Sequence, residues 1–369
     1  MFKKSLAAVA VLAAFAGSAY AADVTMYGRV DLGLRFTNTD ADKAGQDDVN
    51  KFEMASGNYT GSRFGVKGEE DLGNGMKVGF VLENGFSADD GKMDNDGRLF
   101  GRQASLHLKG SFGEVAFGRM GIMNSTAGTF GIGQLSALET GWGDVGNQNL
   151  IWGAGFGSRY DNMVTYATPE FAGAKVIAQY SFKNDNVKDT DGVEGKPTTD
   201  RYAGIGATYN ANNFALRLIV DTINKKSGPN LGDVDDTVRV TLGGSYDFGV
   251  VKPFLAASYF KDGKVSAIPG ADANAGVYDG YGVVLGANAP LFGGTLKATA
   301  GYLKADEQNK ADAAAEDVSR FIVGAGYEYK LSKRTVVYAD AGYGQDDFDN
   351  RDADKPSYFQ AAVGMAHYF

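Results

Sequence analysis

The sequence of 369 residues contains no cysteine and only two histidines, His107 and His367. Without cysteine, disulfides and thiol chemistry are excluded. The histidines stand far apart and near no recognisable nucleophile motif, which disfavours the alternative of a hydrolase. After the N-terminal segment no apolar run approaches ~20 residues, so a membrane-spanning helix is excluded. The net charge of −9 argues against nucleic acid as a partner, because nucleic-acid binding needs a basic face.

Alternation of apolar and polar residues fills most of the chain. In the segment 236–246, Val238, Val240 and Leu242 alternate with Arg239. A period of two indicates a β-strand whose successive side chains point to opposite faces. The same alternation recurs at 214–221 and at 295–302. Segments of about ten alternating residues are typical of strands that cross a membrane as a barrel.

The N-terminal segment has the pattern of an export signal. Lys3 and Lys4 precede an apolar run over residues 6–15, and small residues follow at 19–21. A charged start, an apolar run too short to span a bilayer and an A-x-A site predict a signal peptide over residues 1–21. An amphipathic first helix is the alternative. Removal of the two lysines gives a mature chain, residues 22–369, with a charge of −11.

The C-terminal residues alternate in the same way, and the chain ends on Phe369. In an exported chain this ending indicates the C-terminal signal that the assembly machinery of outer-membrane barrels reads. The alternatives are an edge strand of a soluble β-sandwich and a secreted adhesin. Because only alternate residues of a barrel face lipid, a low mean hydropathy does not argue against a membrane location.

Short and long connectors alternate along the chain, and about sixteen strands lie between them. Bacterial barrels have an even number of antiparallel strands, short periplasmic turns and long external loops. The sequence therefore predicts an all-β, 16-stranded antiparallel transmembrane barrel with a water-filled lumen. Long loops rich in Asp, Asn, Gly and Lys are predicted near 37–58, 87–97, 184–200, 222–236, 261–278, 305–318 and 345–356.

One connector, residues 120–157, differs from the others because it is long, weakly charged and apolar. It contains both tryptophans, Trp142 and Trp152, together with Phe130, Leu138 and several other large apolar residues. A solvent-exposed loop of this length and composition would be unusual. We expect it to fold into the barrel and pack on the wall. The alternative is an external apolar loop at a subunit contact.

Several segments of the sequence resemble the trimeric general porins of Gram-negative bacteria, in particular those of β-proteobacteria. The matching motifs are VTMYGRVD at 24–31, SRFGVKGEEDLGNG at 62–75, FGRQA at 100–104, GSFGEVAFGR at 110–119, RYDNMVTY at 159–166 and GMAHYF at 364–369. The strand rhythm and both chain ends agree with this family over essentially the full length. Taken together these motifs are specific, whereas each alone would be weak.

The resemblance implies a homotrimer in the outer membrane, with a third external loop that constricts each lumen. Its function would be passive diffusion of small hydrophilic solutes and ions, without catalysis, metal or cofactor. The implied partners are outer-membrane lipids, lipopolysaccharide and the barrel assembly machinery.

The resemblance also implies a constriction in which basic side chains on the wall face acidic side chains on the third loop. The basic positions are Arg29, Arg63, Lys67, Arg102 and Arg159, and the acidic positions are Glu139 and Asp144. Because cations outnumber acids in this set, we hypothesise a basic narrowing with a mild preference for anions. The alternative for each cation is an ordinary solvated residue of the lumen.

Strand parity gives an independent argument for three of these cations. Arg29 alternates with apolar neighbours on the first strand, and Arg63 and Lys67 do so on the second. Turning them toward lipid would cost roughly 2–4 kcal/mol each at mid-depth, so they are predicted to face the lumen. Arg102 shares the parity of Leu106 and is expected to face the lumen only if it lies at a bulge or at the strand's start.

Overall fold

The computed structural model describes residues 23–369 except 44, 134, 139–141, 143–150, 152–153, 228–233, 270–275, 309–315 and 350–354. The predicted signal peptide therefore lies outside the described residues. Within them, no helix has the length and apolar character needed to cross a membrane. The strands are β1 Thr25–Asp40, β2 Val49–Ser56, β3 Arg63–Gly73, β4 Met76–Gly85, β5 Gln103–Gly110, β6 Gly113–Gly121, β7 Arg159–Ala167, β8 Ala174–Ser181, β9 Arg201–Ala211, β10 Phe214–Asn224, β11 Thr237–Tyr246, β12 Lys252–Gly263, β13 Tyr278–Leu291, β14 Gly294–Glu307, β15 Val318–Lys330, β16 Thr335–Phe348 and β17 Ser357–Tyr368.

Antiparallel pairing of neighbouring strands closes the sheet into a ring. The last strand, β17, pairs with β1 from Arg29↔Tyr368 to Asp40↔Ser357. The first part of β1 pairs with β3, and its second part pairs with β2. Strands β2 and β3 are thus two halves of one position in the ring, which has sixteen positions in all. The predicted 16-stranded antiparallel barrel is confirmed.

The two faces of the sheet follow the alternation of the sequence. On β11, Val238 and Leu242 are 41% and 49% exposed on the outer surface, whereas Arg239 and Thr241 are buried on the inner side. Closure leaves no unpaired edge strand among the described strands. Unpaired edges are not tolerated in lipid, because their backbone groups would lack hydrogen bonds. The apolar outer face is the surface that meets lipid, and the polar inner face lines the lumen.

Connectors at the two ends of the barrel differ in length. The short turns are 74–75, 111–112, 168–173, 212–213, 247–251, 292–293 and 331–334, and the long loops are 41–48, 86–102, 122–158, 182–200, 225–236, 264–277, 308–317 and 349–356. Several strands extend further than the sequence indicates. The predicted loop 37–58 contains the end of β1 and all of β2. Strand β2 lies near the external rim of the barrel, where it carries polar residues that resemble those of a loop.

The inner loop, residues 122–158, packs on the lumen-facing side of the strands opposite its own root. Glycines make room for it, because a Cβ at Gly243 would lie 2.8 Å from Leu135. A Cβ at Gly301 would lie 2.8 Å from Ile151. Both loop residues are almost completely buried. The described part of this loop therefore lies inside the barrel, and the alternative of an external apolar loop is wrong for it.

Candidate constriction site

Four arginine side chains, the arginine cluster (Arg29, Arg63, Arg102 and Arg159), meet on one side of the lumen. Strand pairing places Arg29 directly opposite Arg63. The hydroxyl oxygen Oγ1 of Thr60 accepts hydrogen bonds from Nη1 of Arg29 at 2.9 Å and from Nη2 of Arg63 at 3.4 Å. Like charges directly opposite each other destabilise a sheet. The facing pair of Arg29 and Arg63, with only a neutral hydroxyl between them, therefore lowers the stability of the barrel.

A single carboxylate joins two members of the arginine cluster, Arg63 and Arg102. Oε1 of Glu83 accepts a hydrogen bond from Nε of Arg102 at 2.8 Å and lies 3.7 Å from Nη1 of Arg63. Nε of Arg159 donates to the main-chain oxygen of Arg102 at 3.0 Å. Among the described residues, Glu83 is the one carboxylate within ion-pair distance of the cluster. Counting described residues alone, four positive charges and one negative charge leave a formal excess of three positive charges.

The inner bend, residues 57–62, interrupts the ring between β2 and β3 and enters the lumen. Its two ends meet at Asp31, because the N–H of Gly57 and the hydroxyl of Ser62 both donate to the Asp31 main-chain oxygen. Gly57 has a φ of +74°, a conformation that favours glycine. This closure turns Thr60 toward the arginine cluster. Strand pairing resumes at Arg63.

Two carboxylates lie buried behind the inner bend. Asp31 accepts hydrogen bonds from the N–H of Thr60 at 2.7 Å and from the hydroxyl of Tyr338 at 2.8 Å. Asp340 accepts from the side-chain amide of Asn58 at 2.7 Å and from that of Gln360 at 2.8 Å. These neutral donors supply the hydrogen bonds that buried carboxylates require, and they fix the bend on the wall.

Arginines elsewhere in the lumen pair more evenly with acids. On the opposite wall, Arg239 donates twice to Asp221, at 3.0 and 2.7 Å. Arg320 donates twice to Asp346, at 2.6 and 2.7 Å. Bidentate pairs of this kind neutralise both partners. Among the arginines of the described residues, the excess of positive over negative charge is thus concentrated at the arginine cluster.

An ion-pair network lies at the external side of the cluster. Nη1 of Arg119 donates to Asp161 at 2.6 Å, and Nη2 of Arg98 donates to Asp185 at 2.6 Å. Arg98 also donates to Asp161 at 3.4 Å. This network links the loops 86–102 and 182–200 to the start of β7.

The structure brings together four of the five predicted basic residues. Lys67 faces the lumen but lies outside the arginine cluster, with its Nζ 5.3 Å from the centre of the Tyr27 ring. Arg102 immediately precedes β5, so the parity of that strand does not apply to it. The predicted acidic residues, Glu139 and Asp144, lie outside the described residues.

Sequence reasoning missed Glu83 and Thr60. Glu83 lies on the lumen-facing parity of β4, which was a usable signal, but nothing in the sequence shows that it meets Arg63 and Arg102. Thr60 lies in a segment that reads as the end of a loop. Its role depends on the bend, which cannot be recognised from local composition.

A hydrogen-bonded series runs from β6 to the inner loop through His107. Nδ1 of His107 lies 2.8 Å from Oε1 of Glu114, and its Nε2 lies 2.8 Å from Oγ of Ser105. Gln103 donates both to Ser105 and to Thr129 of the inner loop, each at 2.8 Å. The order Ser–His–Glu resembles a catalytic triad. However, Ser105 lies within paired strands whose N–H groups form the sheet, so an oxyanion hole is not formed there, and the series connects the loop root to the wall.

These features together define a class of protein. A closed barrel with an apolar exterior and a polar lumen, narrowed by an inward loop beside a cluster of cations, forms a channel through a membrane.

Comparisons with known proteins identify the family. A family model described as Gram-negative porin matches residues 8–351. An outer membrane porin protein of Bordetella pertussis is 35% identical, over 100% of both chains. The solved anion-selective porin from Comamonas acidovorans is 27% identical, with a TM-score of 0.66 over 94% of this chain and 100% of its own. The trimer form of OmpT from Vibrio cholerae, 17% identical, shares the fold with a TM-score of 0.61 over 95% of this chain and 100% of its own. The chain belongs to the Gram-negative porin family.

This membership confirms the main functional predictions. The protein is an outer-membrane porin and a channel for passive diffusion of small hydrophilic solutes. It is not an enzyme.

Proposed function

We propose that this porin prefers anions and that the arginine cluster is the element that selects them. The observation that supports the proposal is the sharing of one carboxylate, Glu83, by Arg63 and Arg102, while Arg29 and Arg159 bond to neutral oxygens. An anion about 5 Å from one guanidinium gains roughly 1–3 kcal/mol at effective dielectric constants of ~80 to ~20.

The same geometry favours particular solutes. Guanidinium groups offer forked donors that match carboxylate and phosphate oxygens, so small organic anions can exchange water for hydrogen bonds as they pass. Cations are repelled at the same place. If Glu139 and Asp144 face the cluster from the inner loop, as we propose, the resulting transverse field orders water and penalises apolar solutes.

The reversal potential of the purified channel in a planar bilayer with a KCl gradient tests this proposal. We expect chloride to be more permeant than potassium. The double substitution Arg29→Gln and Arg63→Gln should lower the permeability ratio. Arg217→Gln is the matched control, because Arg217 bonds to the main-chain oxygen of Leu216 and lies outside the cluster. Clear potassium preference in the wild type, or an unchanged ratio in the double variant, would contradict the proposal.

We also propose that the protein assembles as a homotrimer and that Phe369 is read by the barrel assembly machinery. The porin family membership supports the first proposal. For the second, the N–H of Phe369 donates to the main-chain oxygen of Gly28 at 3.1 Å, so the terminal residue takes part in closing the ring. Phe369→Ala keeps this backbone contact and should reduce the amount of assembled barrel in the outer membrane. Residues 1–21 are proposed as the signal peptide, and lipopolysaccharide as a contact of the external loops.

A further inference from the structure

The inner bend connects the two sides of the constriction. Its Thr60 contacts the arginine cluster, and its Tyr59 contacts Trp142 of the inner loop, the residue that is called the tip below. The rings of Tyr59 and Trp142 meet edge to face with centroids 5.0 Å apart. Tyr59 also stacks on Tyr338 of β16 at 5.2 Å and donates its hydroxyl to Oε2 of Glu328 on β15 at 2.7 Å. One side chain thus joins the bend, the loop and two strands of the wall.

Trp142 is held in a conformation that it would not adopt freely. Its φ of +68° lies in the left-handed region, where a bulky residue is a clear outlier. Such backbone strain persists only where surrounding contacts over-determine it, and it is common in switch regions. Trp142 is only 3% exposed, so its contacts are extensive. The loop tip therefore stays in place because its ring is held there.

Three further contacts hold the same tip. Nζ of Lys297 lies 5.4 Å from the centre of the Trp142 ring. The side-chain amide of Gln360 donates to the Trp142 main-chain oxygen at 3.4 Å. Gly326 lies directly against the ring, since a Cβ there would overlap it. With the wall of β14–β16 behind the ring, a released tip has free space only toward the lumen.

We infer that Tyr59 is a positioning residue that fastens the tip of the inner loop to the wall and thereby sets the open cross-section of the channel. This inference extends the passive channel function and does not depend on the proposed anion preference. Loss of Tyr59 removes two ring contacts and a hydrogen bond to a carboxylate. Loss of each contact shifts the equilibrium between the fastened and the released tip severalfold or more toward release. The released state should therefore become at least about tenfold more populated.

The test compares Tyr59→Ala and Tyr59→Phe in single-channel recordings of the purified full-length protein. In Tyr59→Ala we expect a lower mean conductance and about tenfold more open-channel closures, since a strained tip released into the lumen obstructs it intermittently. Tyr59→Phe keeps both ring contacts and should restore most of the wild-type conductance. Tyr281→Ala, on the outer face of β13 and in ring contact with Tyr302, is the matched control.

A spectroscopic measurement separates positioning from a general loss of structure. In a Trp152→Phe background, Trp142 is the sole tryptophan, and its emission should shift to longer wavelength when Tyr59→Ala exposes it. If Tyr59→Ala does not assemble, Trp142→Ala, which removes the ring and keeps a side chain at the positive φ, must show the same closures. Wild-type conductance and closures in an assembled Tyr59→Ala or Trp142→Ala channel would overturn the inference. An unshifted Trp142 emission in assembled Tyr59→Ala would do the same.

Discussion

Glu83 moderates the positive charge of the arginine cluster. Its carboxylate contacts Arg63 and Arg102 and also accepts a hydrogen bond from Tyr27 at 3.0 Å. Repulsion between neighbouring guanidinium groups would otherwise favour side-chain positions away from the lumen centre. The negative charge of Glu83 therefore helps to hold the positive side chains in the lumen.

Replacing Glu83 by Gln should raise the anion preference and lower the stability of the barrel. The amide oxygen can still accept from Arg102, but the negative charge is lost and buried cations remain. Weakening a hydrogen bond to a charged group costs roughly 1.5–3 kcal/mol. Reversal potentials report the preference, and urea titration of the protein refolded in liposomes reports stability. Glu69→Gln is the control, since Glu69 pairs with Lys77 and Lys109 away from the cluster. A lower chloride preference in Glu83→Gln would contradict the expectation.

At the residue scale, strand parity and the positions of motifs were enough to predict that the four members of the arginine cluster lie in the lumen. Arg29 and Arg63 were predicted to face the lumen because the alternation of their own strands requires it. Arg159 and Arg102 came from motif resemblance alone. Glu83 was missed because its partners lie on other strands, at distances that depend on register and on the inner bend. Local patterns contain no information about either.

At the scale of elements, the inner loop and the wall beneath it are matched in shape. Glycines face the lumen where the loop packs, and Leu135 and Ile151 occupy the space that side chains would otherwise fill. The loop is apolar because it is a packed layer inside a hydrated barrel. A larger side chain on this wall has to displace the loop, and the displacement is directed toward the arginine cluster.

Gly301→Val should therefore narrow the channel. A Cβ at Gly301 would already lie 2.8 Å from the Ile151 side chain, well inside normal contact distance. We expect a lower single-channel conductance and slower entry of sugars in liposome swelling. Gly344→Val is the control on the lumen face of β16, where the nearest side-chain atom to an added Cβ is 3.2 Å away on Ile322 of the wall itself. Equal conductance in the two variants would show that the loop does not respond to the wall.

The contact between the external loops 86–102 and 182–200 should depend on pH. Partial burial acts to raise the pKa of the Asp185 carboxyl, but the N–H groups of Lys188 and Val187 and the Arg98 guanidinium together lower this pKa below its usual value. The Asp185 carboxylate therefore contributes fully to the stability of this loop contact above about pH 4, and its contribution is lost as pH falls through the lowered pKa. The protection of loop 182–200 from hydrogen exchange, measured relative to the intrinsic exchange rate at each pH, should fall only in that acidic range. Asp185→Asn should show the lower protection at neutral pH as well, and pH-independent protection in the wild type would refute the assignment.

Sequence reasoning identified most strands but not all of their extents. Strands such as β11 alternate cleanly because one face meets lipid and the other meets water. Strand β2 was read as loop because the residues before it, 41–48, are rich in Asp and its own alternation of Phe52 and Met54 with Lys51 and Glu53 is short. The bend that follows was missed for a different reason. It is defined by hydrogen bonds from Gly57 and Ser62 to Asp31, a partner about thirty residues away in sequence.

At the scale of the whole molecule, the barrel is stabilised by separating its lipid face from its water-filled interior. Leu242→Arg, at mid-strand on the outer face of β11, should destabilise the folded protein by roughly 2–4 kcal/mol. Val81→Arg, on the lumen face of β4, places the same charge in water and should cost much less. Urea unfolding in liposomes measures both. A similar loss of stability in the two variants would be incompatible with the assigned faces.

The partners of the inner bend lie across the seam between β1 and β17. Tyr338 and Asp340 belong to β16, near the end of the chain, whereas Asn58 and Asp31 belong to its beginning. None of these contacts can form before the two chain ends have been joined. The inner bend is therefore fully fixed on the wall only when the barrel closes, so the geometry of the pore is completed in the last step of biogenesis.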